Sequence, residues 1–198
     1  MTYDYLFLDL APATLAADVA RAAALPPAGE IVGVFTPQLG WHARQAAVLL
    51  RWNDPAADRE AAVAALQSAA GVAAARRDLL AATVRPGTSD RPRPGGIYVH
   101  RWFVVETASV PEFLELSAEG WRDFETRFDT QIFGLFAAAR NDADKAAGVT
   151  RLLLITRYGD HGVWEASRDP STEAMAAFAR RRRMTRDTWA ASTLLASL

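Results

Sequence analysis

The sequence contains no cysteine and a single lysine, Lys145. Without thiols there is no disulfide, no thiolate nucleophile and no cysteine-ligated zinc, and a reducing, cytoplasmic setting is expected. No apolar run approaches the roughly 18 residues that a membrane-spanning helix needs. The opening MTYDYLFLDL places Asp4 and Asp9 where a secretion signal would carry basic residues, so no membrane insertion is expected. Phosphate-cradling glycine loops, a Walker lysine and a G-x-S-x-G elbow are absent too. The three histidines, His42, His100 and His161, stand in no ligand spacing, so neither a metal nor a cofactor is predicted. Charge of one sign is also missing: 22 basic and 23 acidic residues leave a formal net charge of −1, which argues against a nucleic-acid partner. The run Arg180 to Arg183 does not change this. Four consecutive helical residues point around the whole circumference and cannot make one flat basic patch, so the run reads as a solvated helix.

What is present is an ordinary globular composition, 51% hydrophobic and 23% charged over 198 residues, with an internal likeness between two halves. Tyr3 can be set against Tyr98, GVF at Gly33 against GLF at Gly134, LLRW ending in Trp52 against LITRY ending in Tyr158, and RDLLAAT at Asp78 against RDTWAAS at Asp187. The matches keep their order at steadily widening intervals, as two copies with small insertions would. Between them VRPGTSDRPRPGG, dense in Pro, Gly and Arg, reads as a linker. The predicted organisation is therefore a unit over 1–86, a linker over 87–96 and a unit over 97–198.

Each half reads as strand, helix, strand, strand, helix, strand. In the second half IYVHRWFVV, DTQIFGLFAAA and TRLLLITRY are strands, and TWAASTLLA closes the unit. RNDADKAAG is expected as a polar turn and YGDHGVWE as a loop holding His161 and Trp164. Phe113, Leu116, Gly120, Trp121, Phe124 and Phe128 recur at helical spacing, and Asp169 to Ser171 start the next helix. In the first half TLAADVARAAAL is a shorter helix, and Asp54 with Pro55 opens another. A βαββαβ unit is an α+β, ferredoxin-like arrangement with both helices on one face of an antiparallel sheet. Two such units can cover each other sheet to sheet as an α/β barrel.

Residues Ile97 to Leu116, IYVHRWFVVETASVPEFLEL, resemble the opening of NIPSNAP-type domains, which reads I-Y-E-L-R-T-Y-x-x-x-x-G-x-V-x-x-F. Ile97, Tyr98, Arg101, Val110 and Phe113 fall on that pattern, with Phe103 at the second Tyr. Val99, His100 and Ala108 depart from it, replacing Glu, Leu and Gly. In the first half Tyr3 and the acidic Asp4 keep the pattern, and Leu6 stands in place of the Arg. The resemblance implies two NIPSNAP-like units, the first degenerate, in the dimeric α/β-barrel superfamily. That superfamily also holds cofactor-free monooxygenases and haem-degrading enzymes. A shared fold does not by itself transfer a reaction.

Strand alternation puts Ile97, Val99, Arg101, Phe103 and Val105 on one side, and Tyr98, His100, Trp102 and Val104 on the other. Either side can face the barrel interior. Arg151 and Arg157 share one face of the third strand, and with matching registers they would line one wall with Arg101. Guanidinium forks suit a carboxylate or phosphate, so the expected ligand is a small anionic, aromatic or acyl molecule. The competing reading pairs these arginines with Glu106, Asp160, Glu165 or other acids at strand ends. His100 and Trp102 join the candidate site as pocket residues, and His161 beside Asp160 as a candidate general base. Trp52, Trp121 and Trp189 are expected in the core. Two functions follow: a protein that binds or converts a small organic anion without a metal, or a non-catalytic interaction module whose barrel is filled. Haem binding ranks third. A homodimer is compatible with either.

Overall fold

The computed structural model describes residues 1–23, 25–53 and 58–198. The expected helix opening at Asp54 and Pro55 lies outside the described residues. The chain forms two compact units, Met1–Ala81 with Ala191–Leu198, and Ala82–Ala190. Both are α+β with antiparallel, ferredoxin-like sheets. Among the described residues no helix is long and apolar enough to cross a membrane.

The first unit runs β1 (Thr2–Leu10), α1 (Ala16–Arg21), β2 (Gly29–Leu39), β3 (Gln45–Trp52), α2 (Arg59–Gln67) and β4 (Val72–Ala82). Its sheet order is β4-β1-β3-β2, and the end of the last strand, β8 (Thr185–Leu195), pairs with β2. Period-two alternation sends Leu6, Leu8, Val48 and Leu50 to the helix side, against Val19 of α1 and Val63 and Leu66 of α2. Asp4 lies on this side and is fully buried. Its carboxylate accepts from Trp52 Nε1 at 2.7 Å, Arg59 Nε at 2.9 Å and Nη2 at 3.0 Å, and Arg77 Nε at 2.6 Å. Burial pushes the Asp4 pKa up, but the Arg59 and Arg77 guanidiniums outweigh it and hold the group below the usual carboxylate range.

The second unit runs β5 (Ile97–Glu106), a short 3-10 turn, α3 (Val110–Arg127), β6 (Thr130–Ala138), α4 (Asp142–Ala147), β7 (Val149–Tyr158), α5 (His161–Ala166), α6 (Glu173–Arg182) and the start of β8. Its strands lie β6-β7-β5-β8, with Thr188 Oγ1 donating to Trp102 O at 2.8 Å. The 18-residue α3 buries Phe113, Leu116, Gly120, Trp121 and Phe124 of the expected stripe, together with Ser117, whereas Phe128 is the extended C-cap and only partly buried. Gly120 lets α6 approach: a Cβ there would stand 2.6 Å from Phe178 Cε1. The segment expected as a linker is tied to β6. Gln131 Nε2 donates to Arg91 O at 2.9 Å and its Oε1 accepts from Arg93 N at 2.9 Å.

Three local expectations are corrected. The polar turn RNDADKAAG holds α4, because Asn141 and Asp144 form a reciprocal capping box and Gly148 ends the helix at φ 66°. The loop YGDHGVWE holds α5, capped by Asp160, whose carboxylate accepts from Val163 N at 2.8 Å, so His161 and Trp164 are helical. Trp189 is not core: it is 48% exposed on β8. The start of α6 falls at Thr172, whose hydroxyl accepts from Met175 N at 3.3 Å, just beyond the expected Asp169–Ser171.

Candidate anion-binding cleft

The β5–β7 register decides which predicted residues meet. Arg101 lies opposite Leu154, whereas Arg157 lies opposite Tyr98 and Arg151 opposite Val104. Directly paired residues share a face. Arg101 is therefore on the helix side with Val99 and Phe103, and Arg151 and Arg157 are on the other side with His100 and Trp102. The three arginines do not line one wall.

Arg151 and Arg157 are engaged by acids near the strand ends, as the competing reading held, the acids being Asp144 and Asp129 and not Glu106, Asp160 or Glu165. Arg151 Nε lies 3.2 Å from Asp144 Oδ2 and Arg157 Nη1 lies 2.7 Å from Asp129 Oδ1. Glu106 pairs instead with Arg186. Trp102 is buried, stacked on Trp189 at 6.1 Å, with Arg151 over its ring at 5.7 Å. His100 is fully buried, and desolvation pushes its pKa down from 6.5 to about 3, so it is neutral at neutral pH. His161 is exposed at the start of α5, and Asp160 caps that helix rather than addressing the imidazole.

On the helix side Arg101 meets two cations that the sequence does not bring near it. Arg181 sits on the inward stripe of α6 with Ala174 and Ala177, and is only 7% exposed. Its Nη1 donates to Ser117 Oγ at 3.0 Å, while Ser117 Oγ donates to Phe113 O at 2.7 Å. The guanidinium carbon lies 4.8 Å from the centroid of Phe103, 4.9 Å from Phe113 and 4.7 Å from Phe178. No carboxylate is within ion-pair distance of it among the described residues. Burial first, and the charge of Arg101 second, push its pKa down to about 9. It remains a cation at neutral pH, held in a desolvated place without a counter-ion.

Arg101 is likewise pushed below the usual arginine range, by burial and then by the charges of Arg168 and Arg182. Arg168 is exposed at the mouth and lies over the Trp164 ring at 4.6 Å. Tyr158, buried on the same side, has a pKa raised by desolvation against the opposing pull of Arg168, Arg101 and Arg181.

Arg101, Arg168 and Arg181 line two adjoining cavities. The inner one, about 60 Å³, is also lined by Thr156, Tyr158, Ser167, Trp121 and Phe124, with Ser167 Oγ donating to Trp164 O at 2.7 Å. The outer one, about 230 Å³, is walled by Phe103, Met175 and Phe178 and rimmed by Arg182, Thr185 and Thr188. The indole N–H of Trp121 is buried with no acceptor among the described residues. No three metal-ligating side chains lie together among the described residues, and the cleft holds no imidazole that would serve as a proximal haem ligand.

A signal for Arg181 was present in the sequence. The run Arg180 to Arg183, expected as a solvated helix, is corrected at Arg181: a helix that packs on a sheet turns one side inward, and the spacing Ala174, Ala177, Phe178, Arg181 marks it. Arg168 carries no comparable signal.

An antiparallel α+β sheet covered by helices, with a cation-lined cleft beneath them, defines a ferredoxin-like protein. Solved structures agree on that fold. An anthrone oxidase-like protein superposes with a TM-score of 0.62 at 14% identity, over 99% of this chain and 91% of its own. A proposed monooxygenase from Lactobacillus acidophilus NCFM gives 0.58 at 9%, over 98% and 93%. A ferredoxin fold protein from Listeria monocytogenes 4b F2365, related to antibiotic biosynthesis monooxygenases, gives 0.51 at 9%, over 100% and 97%. At such identities the likeness establishes the fold alone. No protein-family model matches the sequence, and no curated protein matches it either.

Proposed function

We propose that this protein is a NIPSNAP-like relative of the dimeric α/β-barrel proteins that binds, or converts without a metal, a small organic anion in the helix–sheet cleft of its second unit. One observation carries the reading: the Arg181 guanidinium is buried with no carboxylate among the described residues to neutralise it. A desolvated charge is costly unless something pairs with it, and an anionic ligand is the missing partner. Arg101, mid-strand at the Arg of the NIPSNAP-like pattern, supplies the second donor fork. The structural neighbours, among them an anthrone oxidase-like protein and a proposed monooxygenase, bear names that accord with such a site. The tandem division into 1–86 and 97–198 and a cytoplasmic setting belong to the same proposal.

The opposite face of the second unit's sheet supports a narrower role for His100 and Trp102. Tyr98, Phe133, Phe136 and Ile155 are 0–1% exposed there, which leaves that face filled with side chains. An interaction module with a filled interior is the competing reading.

Native mass spectrometry of freshly purified protein, with calorimetric titration of small organic acids, separates the two. Retained or titrated anion that is lost in Arg181→Met and weakened in Arg101→Ala, with the fold intact by circular dichroism, supports the binding site. A bare mass and no heat with any anion would favour the interaction module.

A further inference from the structure

Resting on that reading, we infer that the ligand is a phosphate monoester or phosphonate with a compact aromatic or apolar body, its dianionic head in the inner cavity and its body in the outer one. The head group follows from charge. Arg101 and Arg181 face one small space, and neither has an acid partner among the described residues. One carboxylate would neutralise one of them and leave the other buried; a single group carrying two negative charges neutralises both. Arg168, exposed at the mouth, adds a third positive charge on the approach.

The position of the head follows from size and donors. The inner cavity of about 60 Å³ has room for roughly two waters and falls well short of the about 150 Å³ that holds a benzene ring. Polar side chains also line it. Thr156, Tyr158 and Ser167 line it with the two guanidiniums, the Ser167 hydroxyl donating to Trp164 O at 2.7 Å, and the buried Trp121 N–H lacks an acceptor among the described residues. A tetrahedral group with three terminal oxygens can accept from several directions at once, whereas a planar carboxylate accepts in one plane. The outer cavity, about 230 Å³ between Phe103, Met175 and Phe178, is large enough for a ring and apolar enough to favour one.

The test is calorimetric titration of the intact chain at pH 8 with four probes. Phenyl phosphate carries both features, methyl phenyl phosphate keeps the ring with one charge, inorganic phosphate keeps the head without the ring, and benzoate is a planar monoanion. Phenyl phosphate is expected to bind at least tenfold more tightly than each of the others. Arg101→Met is expected to bring phenyl and methyl phenyl phosphate to within threefold of each other, because one of the two charges then has no partner. Arg181→Met is expected to abolish binding. Equal binding of benzoate or methyl phenyl phosphate would overturn the dianion while leaving an anion site in place. Equal binding of inorganic phosphate would overturn the assignment of the outer cavity to a ring. Failure of all four probes, or binding indifferent to Arg181→Met and Arg101→Met in folded variants, would overturn the inference together with the reading beneath it.

Discussion

Arg181→Met isolates the energetic oddity of the second unit, a buried cation with no counter-ion among the described residues. Methionine keeps an unbranched stem of similar reach in a pocket of Phe103, Phe113 and Phe178 and removes the charge. The fall in the guanidinium pKa to about 9 corresponds to roughly 5 kcal/mol of disfavoured charging. Against this stand three cation–π contacts at 4.7 to 4.9 Å, about 1 kcal/mol each. The hydrogen bond to Ser117 adds about 1 kcal/mol more. Ser117 itself is not orphaned, because its hydroxyl still donates to Phe113 O. The balance is a gain of about 1 kcal/mol in the unliganded protein, or about 3 °C in Tm for a chain of this length. Had Arg181 an acid partner, its removal would strand a buried carboxylate and cost about 3 to 5 kcal/mol.

The sign therefore decides. Thermal unfolding of the apo proteins, followed by circular dichroism, is expected to show the variant level with or above the wild type. The native state holds the guanidinium proton less tightly than the unfolded chain does, so the penalty is constant below about pH 9 and fades above it. The advantage of the variant should accordingly be flat from pH 6 to 8 and shrink at higher pH. Saturation with phenyl phosphate should reverse the order, since a ligand at a hundred times its Kd adds about 2.7 kcal/mol to the wild type alone. A loss of about 6 °C or more in the apo variant would show that the charge is compensated after all, and would remove the reason for an anion in the cleft.

Three other perturbations follow from the same geometry. Asp4→Asn leaves Arg59 and Arg77 without their shared carboxylate and should cost about 3 to 5 kcal/mol in denaturant unfolding. Because the Asp4 pKa is lowered, that contribution is complete above the ordinary carboxylate range and is lost from the wild type as pH falls through the native value; a variant equal in stability to the wild type at pH 7 would refute it. His100→Leu tests the neutral buried imidazole: with the pKa moved from 6.5 to about 3, the wild type should lose about 2 kcal/mol between pH 6.5 and pH 5 that the variant does not lose. Parallel pH profiles would show that His100 titrates normally. Gly120→Ala drives a methyl to 2.6 Å from the Phe178 ring, so it should cost about 1 to 3 kcal/mol and weaken phenyl phosphate binding, because Phe178 walls both cavities. Unchanged affinity would place the ligand elsewhere.

The sequence made the strands and the long helix readable because their periodicities are strong. Alternation in IYVHRWFVV separates its two sides, and the stripe from Phe113 to Phe124 is the buried face of α3. The short α4 and α5 were not readable by periodicity: at six residues each they are set by caps, Asn141 with Asp144 and Asp160, rather than by an apolar stripe. Trp189 was misplaced because aromatic bulk alone does not say which face of β8 is covered. The cleft was half readable. Arg101 stands out as a charge in the middle of a buried strand, but its partners lie 67 and 80 residues away along the chain, at Arg168 and Arg181. Their approach depends on how α5 and α6 pack over the sheet, and the strand register that separates Arg101 from Arg151 and Arg157 is a long-range property that no local pattern encodes.

The two units use the same layer of their sheets in opposite ways. In the first, the helix-facing side of the opening strand carries Asp4 and then Leu6, and the charge is closed within the unit by Arg59, Arg77 and Trp52. In the second, the corresponding positions hold Val99 and then Arg101, and the helix above contributes another arginine instead of an acid. An internally satisfied cluster stabilises; a cluster of one sign, desolvated and unanswered, does not. On the proposed reading the answering charge comes from a ligand outside the chain. By that reasoning an acid placed in the second unit, Val99→Asp beside Arg101, should neutralise the cleft from within. Val99→Asp is expected to compete with phenyl phosphate, weakening its binding at least tenfold by calorimetry, while the control Val99→Asn leaves it within threefold. Equal affinity in Val99→Asp and Val99→Asn would show that the unpaired charge of the arginines is not what holds the anion.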